Sequence, residues 1–272
     1  IKVSGEDGKA PKVEGAWPLA IAKTESKILK EGTGEKVDKN ATLKVNYVGV
    51  NGRTGKEFDS SYKRGTTADF PLAQVVPGFA KGLVGKHQGD RVLIMMPGSD
   101  GYDSQGGAPQ AGIMKGDSLI FVVDIVAIPL PKATGETVKP AAGLPTVKEV
   151  QGAPAVTIGK ATKPNKLVVQ PLIKGKGAAV TAHDSIDVKY RTYAWSSGEL
   201  IEDGYSGEPV TGSMNSVIPG WKKGLIGQTV GSRVMLIVPP ADAYPNGSTN
   251  PPVKKGETLI YVIDILSAQK ES

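Results

Sequence analysis

Side chains able to do covalent or metal chemistry are scarce in these 272 residues. The absence of cysteine removes thiolate nucleophiles, disulfides and cysteine-based metal sites. The two histidines, His87 and His183, stand alone at non-equivalent places and read as surface loop residues. No phosphate-binding Gly-Lys-Ser/Thr loop and no Gly-x-Ser-x-Gly elbow occurs. Gly32-Thr33-Gly34 lacks the third glycine and the strand-to-helix setting of a nucleotide fold. Nothing in the sequence calls for a cofactor or a metal. What remains is a set of aromatic side chains spread over strands, a helix and a loop. Such a set suits binding, or catalysis by desolvation alone.

The elements that must position those rings are legible. Leu43, Val45 and Tyr47 alternate with Lys44, Asn46 and Val48, the period of a half-buried strand. Asn51-Gly52 and Thr54-Gly55 then supply turn residues before Glu57-Phe58-Asp59. Residues 91–96 and 118–126 read as further strands, the second apolar at almost every position and therefore central. The helical candidate is Pro77–Gly85, with proline where the first turn tolerates a missing N–H and Phe79, Leu83 and Val84 on one face. The glycine-rich stretch 97–117 predicts a long irregular loop, a place where function often sits.

The same pieces occur twice. Ala10-Pro11-Lys12-Val13 recurs as Ala153-Pro154-Ala155-Val156, Gly32-Thr33-Gly34 as Gly175-Lys176-Gly177, and Val45-Asn46-Tyr47 as Val188-Lys189-Tyr190, all 143 positions apart. Pro77-Gly78-Phe79 through Gly85 returns as Pro219-Gly220-Trp221 through Gly227, 142 apart, and Leu119–Ile125 as Leu259–Ile265, 140 apart. Preserved order with small changes of offset is a domain duplication. Residues 129–145, with four prolines and two glycines, have the composition of a linker. The expected layout is an N-terminal extended segment (1–22), a first domain (23–130), a Pro/Gly-rich linker (131–150) and a second domain (151–272).

Composition narrows the function further. Glycine and proline number 35 and 20, which favours short strands joined by turns. The net charge of +6 is spread as +2 over residues 1–130 and +4 over 131–272, with no basic block to meet nucleic acid. No apolar run is long enough to span a membrane; Leu119–Leu130 is broken by Asp124. A chain starting at Ile1 without methionine reads as a processed or truncated product, with any export signal lost from view. By analogy alone, tandem units of this kind suggest an exported or envelope protein of a bacterium.

At Val45-x-Tyr47, Gly55-Lys56-Glu57-Phe58-Asp59-Ser60-Ser61, Phe70-x-Leu72, Val75-Val76-Pro77-Gly78-Phe79-x-x-Gly82-Leu83, Pro97 with Tyr102, and Leu119-Ile120-Phe121, the sequence resembles the FKBP-type peptidyl-prolyl isomerases. The match covers roughly 23–128 and, more weakly, 166–267; segments 1–22 and 146–165 match each other outside the family core. The resemblance implies tandem α+β domains, each an antiparallel sheet wrapped around one short helix. It implies a catalytic set of Tyr47, Phe58, Asp59, Phe79 and Tyr102, with Phe70, Val75, Val76, Ile113 and Phe121 binding substrate. The Val76 N–H and the Tyr102 hydroxyl would hold substrate carbonyls, and Asp59 would line the pocket. The family's usual tryptophan floor is here Phe79. The implied partners are proline-containing polypeptides and the family's macrolide ligands, met by a monomer without a cofactor. Taken singly, Phe79, Val75 and Phe121 read as core.

The second copy departs from the pattern. Phe58-Asp59 becomes Ile201-Glu202, and Phe70 aligns with Val210, while Tyr190, Val217, Ile218, Trp221, Tyr244, Val253 and Tyr261 keep the remaining positions. The expectation is a second domain that folds but catalyses poorly. Three functions stay open at this point: a folding catalyst acting mainly through the first domain, a non-catalytic proline-peptide-binding module or chaperone, and a structural spacer.

Overall fold

The computed structural model of the chain describes residues 1–6 and 8–271. They form two units, Ile1–Pro129 and Leu130–Glu271. Unit 1 begins with a hairpin of β1 (Lys2–Ser4) and β2 (Lys12–Glu14). Strands β3 (Glu25–Lys30), β4 (Thr42–Asn51) and β5 (Glu57–Ser60) follow, and a single helical turn, α1 (Ser61–Arg64), is closed by Gly65 at φ 71°. Next come β6 (Ala68–Pro71), α2 (Pro77–Leu83) and β7 (Arg91–Met96). The following loop is tied by the short pair β8 (Gly107–Ala108) and β9 (Ile113–Met114), and β10 (Leu119–Ala127) ends the unit.

The antiparallel sheet has the order β3-β7-β10-β4-β5. At ten residues, β4 is long enough to pair β6 along its first half and β5 along its second. α2 lies on one face and is two residues shorter than the pattern predicts; Val84 falls just past its end and is exposed, not on the buried face with Phe79 and Leu83. It approaches closely because two of its residues are glycines. A Cβ on Gly78 would fall 2.4 Å from Met96 Sδ, and one on Gly82 2.7 Å from Ile94 Cδ1.

Successive side chains of β10 point to opposite faces. Leu119, Phe121, Val123 and Ile125 enter the core under α2, whereas Ile120 and Val122 join Val48, Val50 and Leu93 on the other face. That second face is covered by Val3, Val13, Trp17 and Leu19. Among the described residues before β3, the β1–β2 hairpin and the stretch after it thus lie over the sheet. Each large apolar side chain buried this way contributes on the order of 1.5–3 kcal/mol.

Unit 2 repeats the plan with β11 (Glu136–Thr137), the hairpin β12 (Thr146–Val150) and β13 (Ala153–Thr157), β14 (Val168–Lys174), β15 (Asp184–Ala194), β16 (Leu200–Asp203) and β17 (Val210–Ser213). α3 (Pro219–Leu225), β18 (Arg233–Val238), β19 (Ser248–Thr249), β20 (Pro252–Val253) and β21 (Leu259–Lys270) complete it. The sheet order is β11-β14-β18-β21-β15-β16, with β17 on β15. The β12–β13 turn uses Gln151 and Gly152, both at positive φ (51° and 79°), as the twist of a two-residue hairpin requires.

Stretch 131–150 is not a free linker. The Leu130, Thr134 and Val138 N–H groups donate to the carbonyls of Leu266, Gly231 and Leu172, and β11 pairs with β14. Prolines keep it from forming a long strand, yet its remaining donors satisfy an otherwise open sheet edge. Among the described residues no helix is long and apolar enough to cross a membrane.

Candidate functional site

In unit 1 the sheet and α2 bring five rings together. Phe79, the second residue after the proline that starts α2, forms the floor, its ring centroid 4.8 Å from Phe70 and 4.5 Å from Phe121. Tyr47 of β4 stands 5.2 Å from Phe70, and Phe58 of β5 meets Phe121 edge-on at 5.5 Å and 89°. Offset and edge-to-face contacts of this kind add to simple burial. Gly49 makes room for them, since a Cβ there would lie 2.7 Å from Phe58 Cζ and 2.8 Å from Phe121 Cε1.

The acid is Asp59, opposite Gly49 in the β4–β5 register. Its carboxylate accepts hydrogen bonds from the Tyr47 hydroxyl, the Arg64 guanidinium and the Ser60 N–H. Arg64, carried by α1, also donates to the Tyr47 hydroxyl at 3.0 Å. Burial would raise the Asp59 pKa, but the bonds from Tyr47 and Arg64 outweigh it and hold it below the usual carboxylate range. Burial and the neighbouring carboxylate push Tyr47 up to about 12.

Val75, Val76 and Tyr102 border the same apolar cluster, half-buried, while Ile113 lies deeper at 2% exposure. Val76 precedes the helix, and its N–H has no acceptor among the described residues. The Tyr102 hydroxyl is raised by burial and then by the charge of Asp59. The loop carrying Tyr102 and Ile113 is pinned through Asp117. Its carboxylate accepts from Asn51 Nδ2 at 2.7 Å, Arg53 Nε at 2.7 Å and the Met114 N–H at 2.9 Å.

Unit 2 holds a hollow of about 220 Å³ lined by Tyr190, Glu202, Ser216, Val217, Ile218, Trp221, Tyr244 and Tyr261. Trp221 forms the floor, edge-to-face with Tyr190 at 5.1 Å and with Tyr261 at 5.5 Å. Its indole N–H is buried without an acceptor among the described residues. Glu202 accepts from the Tyr190 hydroxyl at 3.2 Å and from Thr192 Oγ1 at 2.8 Å. Thr192 occupies the place of Gly49, opposite the acid in register. Burial first, and then Glu202, raise Tyr190 to about 12 and displace Tyr244 upward.

Three expectations for unit 2 change. Val210 is not the counterpart of Phe70: Leu43 pairs with Phe70, but its equivalent Ile186 pairs with Gly212, so unit 2 has no side chain there. Val210 pairs with Val188 and is 44% exposed. Ile201 packs against the core and Val253 is buried within it, and neither is among the residues that line the hollow.

Two stretches, residues 33–126 and 176–266, match the sequence profile of the family described as FKBP-type peptidyl-prolyl cis-trans isomerase. The chain belongs to that family. This FKBP-type isomerase is 32% identical over 117 residues to a probable FK506-binding protein of Corynebacterium glutamicum, covering 42% of this chain and 98% of that one. It is 40% identical over 100 residues to an FK506-binding protein of Streptomyces anulatus, covering 36% and 80%. The FKBP-type isomerase FkpA of Escherichia coli is 36% identical over 107 residues, covering 39% of this chain and 38% of FkpA. The crystal structure of the three FKBP domains of wheat FKBP73 aligns over 91% of this chain and 95% of that one, with 18% identity and a TM-score of 0.38.

Sequence reasoning missed several residues of these FKBP sites. Arg64 is a cation five positions after Asp59 with no pattern around it. Gly49 did leave a signal, because a glycine inside a strand marks close approach. Thr192, Gly212 and Ser216 become visible only through strand register and the shape of the hollow.

Proposed function

We propose that unit 1 carries the isomerase activity, acting on X–Pro bonds of other polypeptides, and that unit 2 is a folded but poor catalyst. The observation behind this is the five-ring cluster of unit 1 with Asp59 set between Tyr47 and Arg64. Rotation about the peptide bond faces a barrier of about 18–20 kcal/mol because amide resonance is lost. The twisted imide is less polar than the planar one, so an apolar, water-excluding hollow favours it over the ground state. The Val76 N–H, free of a protein acceptor, takes one substrate carbonyl, and the Tyr102 hydroxyl takes another. Asp59, kept ionised by Tyr47 and Arg64, faces the carbonyl that swings.

Unit 2 has Ile201 in place of the Phe58 ring and Gly212 in place of the Phe70 ring, so two of the five rings are missing there. The formed hollow with its indole floor supports a second reading for unit 2, a binding module that holds client segments without turning them over. The test is an X–Pro isomerisation assay on the full chain carrying either Asp59→Leu or Glu202→Leu. The proposal fails if Glu202→Leu costs as much turnover as Asp59→Leu.

A further inference from the structure

The acids of the two hollows differ in what balances their charge. Asp59 has the Arg64 guanidinium against it. Glu202 forms no ion pair among the described residues; its two oxygens accept only the hydroxyls of Tyr190 and Thr192. Unit 2 has no turn corresponding to α1, and Gly207 stands where the repeat would place Arg64. No lysine, arginine or histidine lines the hollow; around Glu202 stand the rings of Tyr190, Trp221, Tyr244 and Tyr261. A half-buried carboxylate without a counter-charge, set among aromatic rings, attracts a cation in two ways. The carboxylate offers a charge-assisted hydrogen bond, and the ring faces offer their negative quadrupoles.

From this we infer that the unit 2 hollow is a receptor for an alkylammonium group of the kind a lysine side chain carries. The size agrees. At about 220 Å³ the hollow is smaller than the roughly 300–1,000 Å³ that drug-sized ligands occupy, and it suits one extended side chain. The hydroxyls of Tyr190 and Thr192 hold the carboxylate in place before the cation arrives, which lowers the ordering cost of binding. A proline ring could enter the same space, but it would make no use of the unbalanced charge. Recognition of the ammonium would let unit 2 anchor a lysine-bearing client independently of any turnover in unit 1, so the inference does not rest on the activity assigned there.

The experiment follows the indole N–H signals of the ¹⁵N-labelled full chain, which has three tryptophans, with Trp221→Phe assigning the relevant peak. The probes are N-acetyl-lysine amide and its uncharged analogue N-acetyl-norleucine amide, with n-butylammonium as a free amine. The lysine derivative should shift the Trp221 peak saturably and bind about tenfold more tightly than the norleucine derivative. n-Butylammonium should do the same if a free amine suffices, and should do so more weakly if the peptide frame contributes. Glu202→Gln keeps an oxygen that can accept from Tyr190 or Thr192, and it should remove the preference for the charged probe. Raising the salt on the unmodified protein should weaken the lysine derivative and leave norleucine unchanged. Equal binding of the two derivatives, a preference that survives both Glu202→Gln and high salt, or no shift with any probe would each overturn the inference.

Discussion

Where unit 1 has Gly49, Phe58, Phe70 and Phe79, unit 2 has Thr192, Ile201, Gly212 and Trp221. These exchanges fall in two pairs. The Phe58 ring uses the room that Gly49 leaves, and the branched Thr192 stands where the neighbour has shrunk to Ile201. Phe79 shares its edge with the Phe70 ring, and the larger indole of Trp221 stands where that partner has become Gly212. The first exchange adds bulk, the second removes more than the indole restores, and shape and polarity change with both. A sheet, a helix and a loop are thus held constant while the side chains between them are redistributed.

The comparison breaks most readily on activity. Asp59→Leu in the full chain should cut X–Pro isomerisation at least about tenfold, with Tyr102→Phe giving a smaller loss of several-fold, because each removes a group placed for the transition state. If both variants keep full turnover, the assignment of the active hollow to unit 1 is wrong.

Transplanting single residues should expose the pairing of volumes. Gly49→Thr sets a side chain where a Cβ already falls 2.7 Å from Phe58, and should destabilise unit 1 by about 1–3 kcal/mol in denaturant melts. Phe79→Trp should cost a similar ~1–3 kcal/mol beside an intact Phe70. Adding Phe58→Ile to the first variant, or Phe70→Gly to the second, should recover part of the loss, a non-additivity readable from a double-mutant cycle. Strict additivity would show that the exchanges are independent.

Acid should separate the units as well. The Arg53 guanidinium first, and the Asn51 amide and Met114 N–H besides, hold Asp117 down at about 2 against an ordinary value near 3.8. A depressed carboxylate stabilises the folded state above its unfolded pKa, and that stability is lost as pH falls through the folded value. The contribution, about 1–2 kcal/mol, should therefore be complete above pH ~4 and fade toward pH ~2. In unit 2 the corresponding Glu257 has Ser196 in the place of Arg53 and is bonded to the Ser196 and Thr258 N–H groups without a cation. Asp117→Asn should flatten the pH 2–4 response of Trp17 fluorescence in unit 1 and leave that of Trp221 unchanged. A Trp17 response that persists in the variant would place the acid sensitivity elsewhere.

The smallest effect is expected where the units are alike. Lys81–Asp100 and Lys223–Asp242 are matched exposed pairs, both at 2.6 Å. Replacing either lysine by methionine should change stability by less than about 0.5 kcal/mol, equally in the two units. A larger effect in either unit would show that the lysine anchors its loop; of the two acids, Asp100 has a second side-chain bond, from Thr24 Oγ1 at 2.5 Å.

Much of the fold could be read from the sequence, because the strands at 42–51, 91–96 and 119–127 and the helix at 77–83 carry strong apolar periods. The short hairpins escaped, since strands of three residues carry no measurable period. The misplacement of Val210 has a different cause. Side chains alternate along a strand, so a slip of two residues returns every one of them to the same face. Pairing Val210 with Phe70 kept the apolar pattern intact, and only the backbone register distinguishes it from Gly212. Arg64 and Thr192 were illegible for a third reason. They act through partners brought by other strands or turns, and neither residue type by itself points to a site.

The strand order also dictates how each unit must be born. β10 and β21 are the last long strands of their units to leave the ribosome, yet each lies in the middle of its sheet. Until β10 is made, β3-β7 and β4-β5 are two fragments with no strand between them, and the helix has half a surface to rest on. The sheet of each unit therefore closes in one late step, over contacts far apart in sequence, a topology that slows folding. Nascent unit 1 carries open apolar edges until its final strand emerges, so the isomerase is for a time the kind of unfinished, aggregation-prone chain that folding helpers attend.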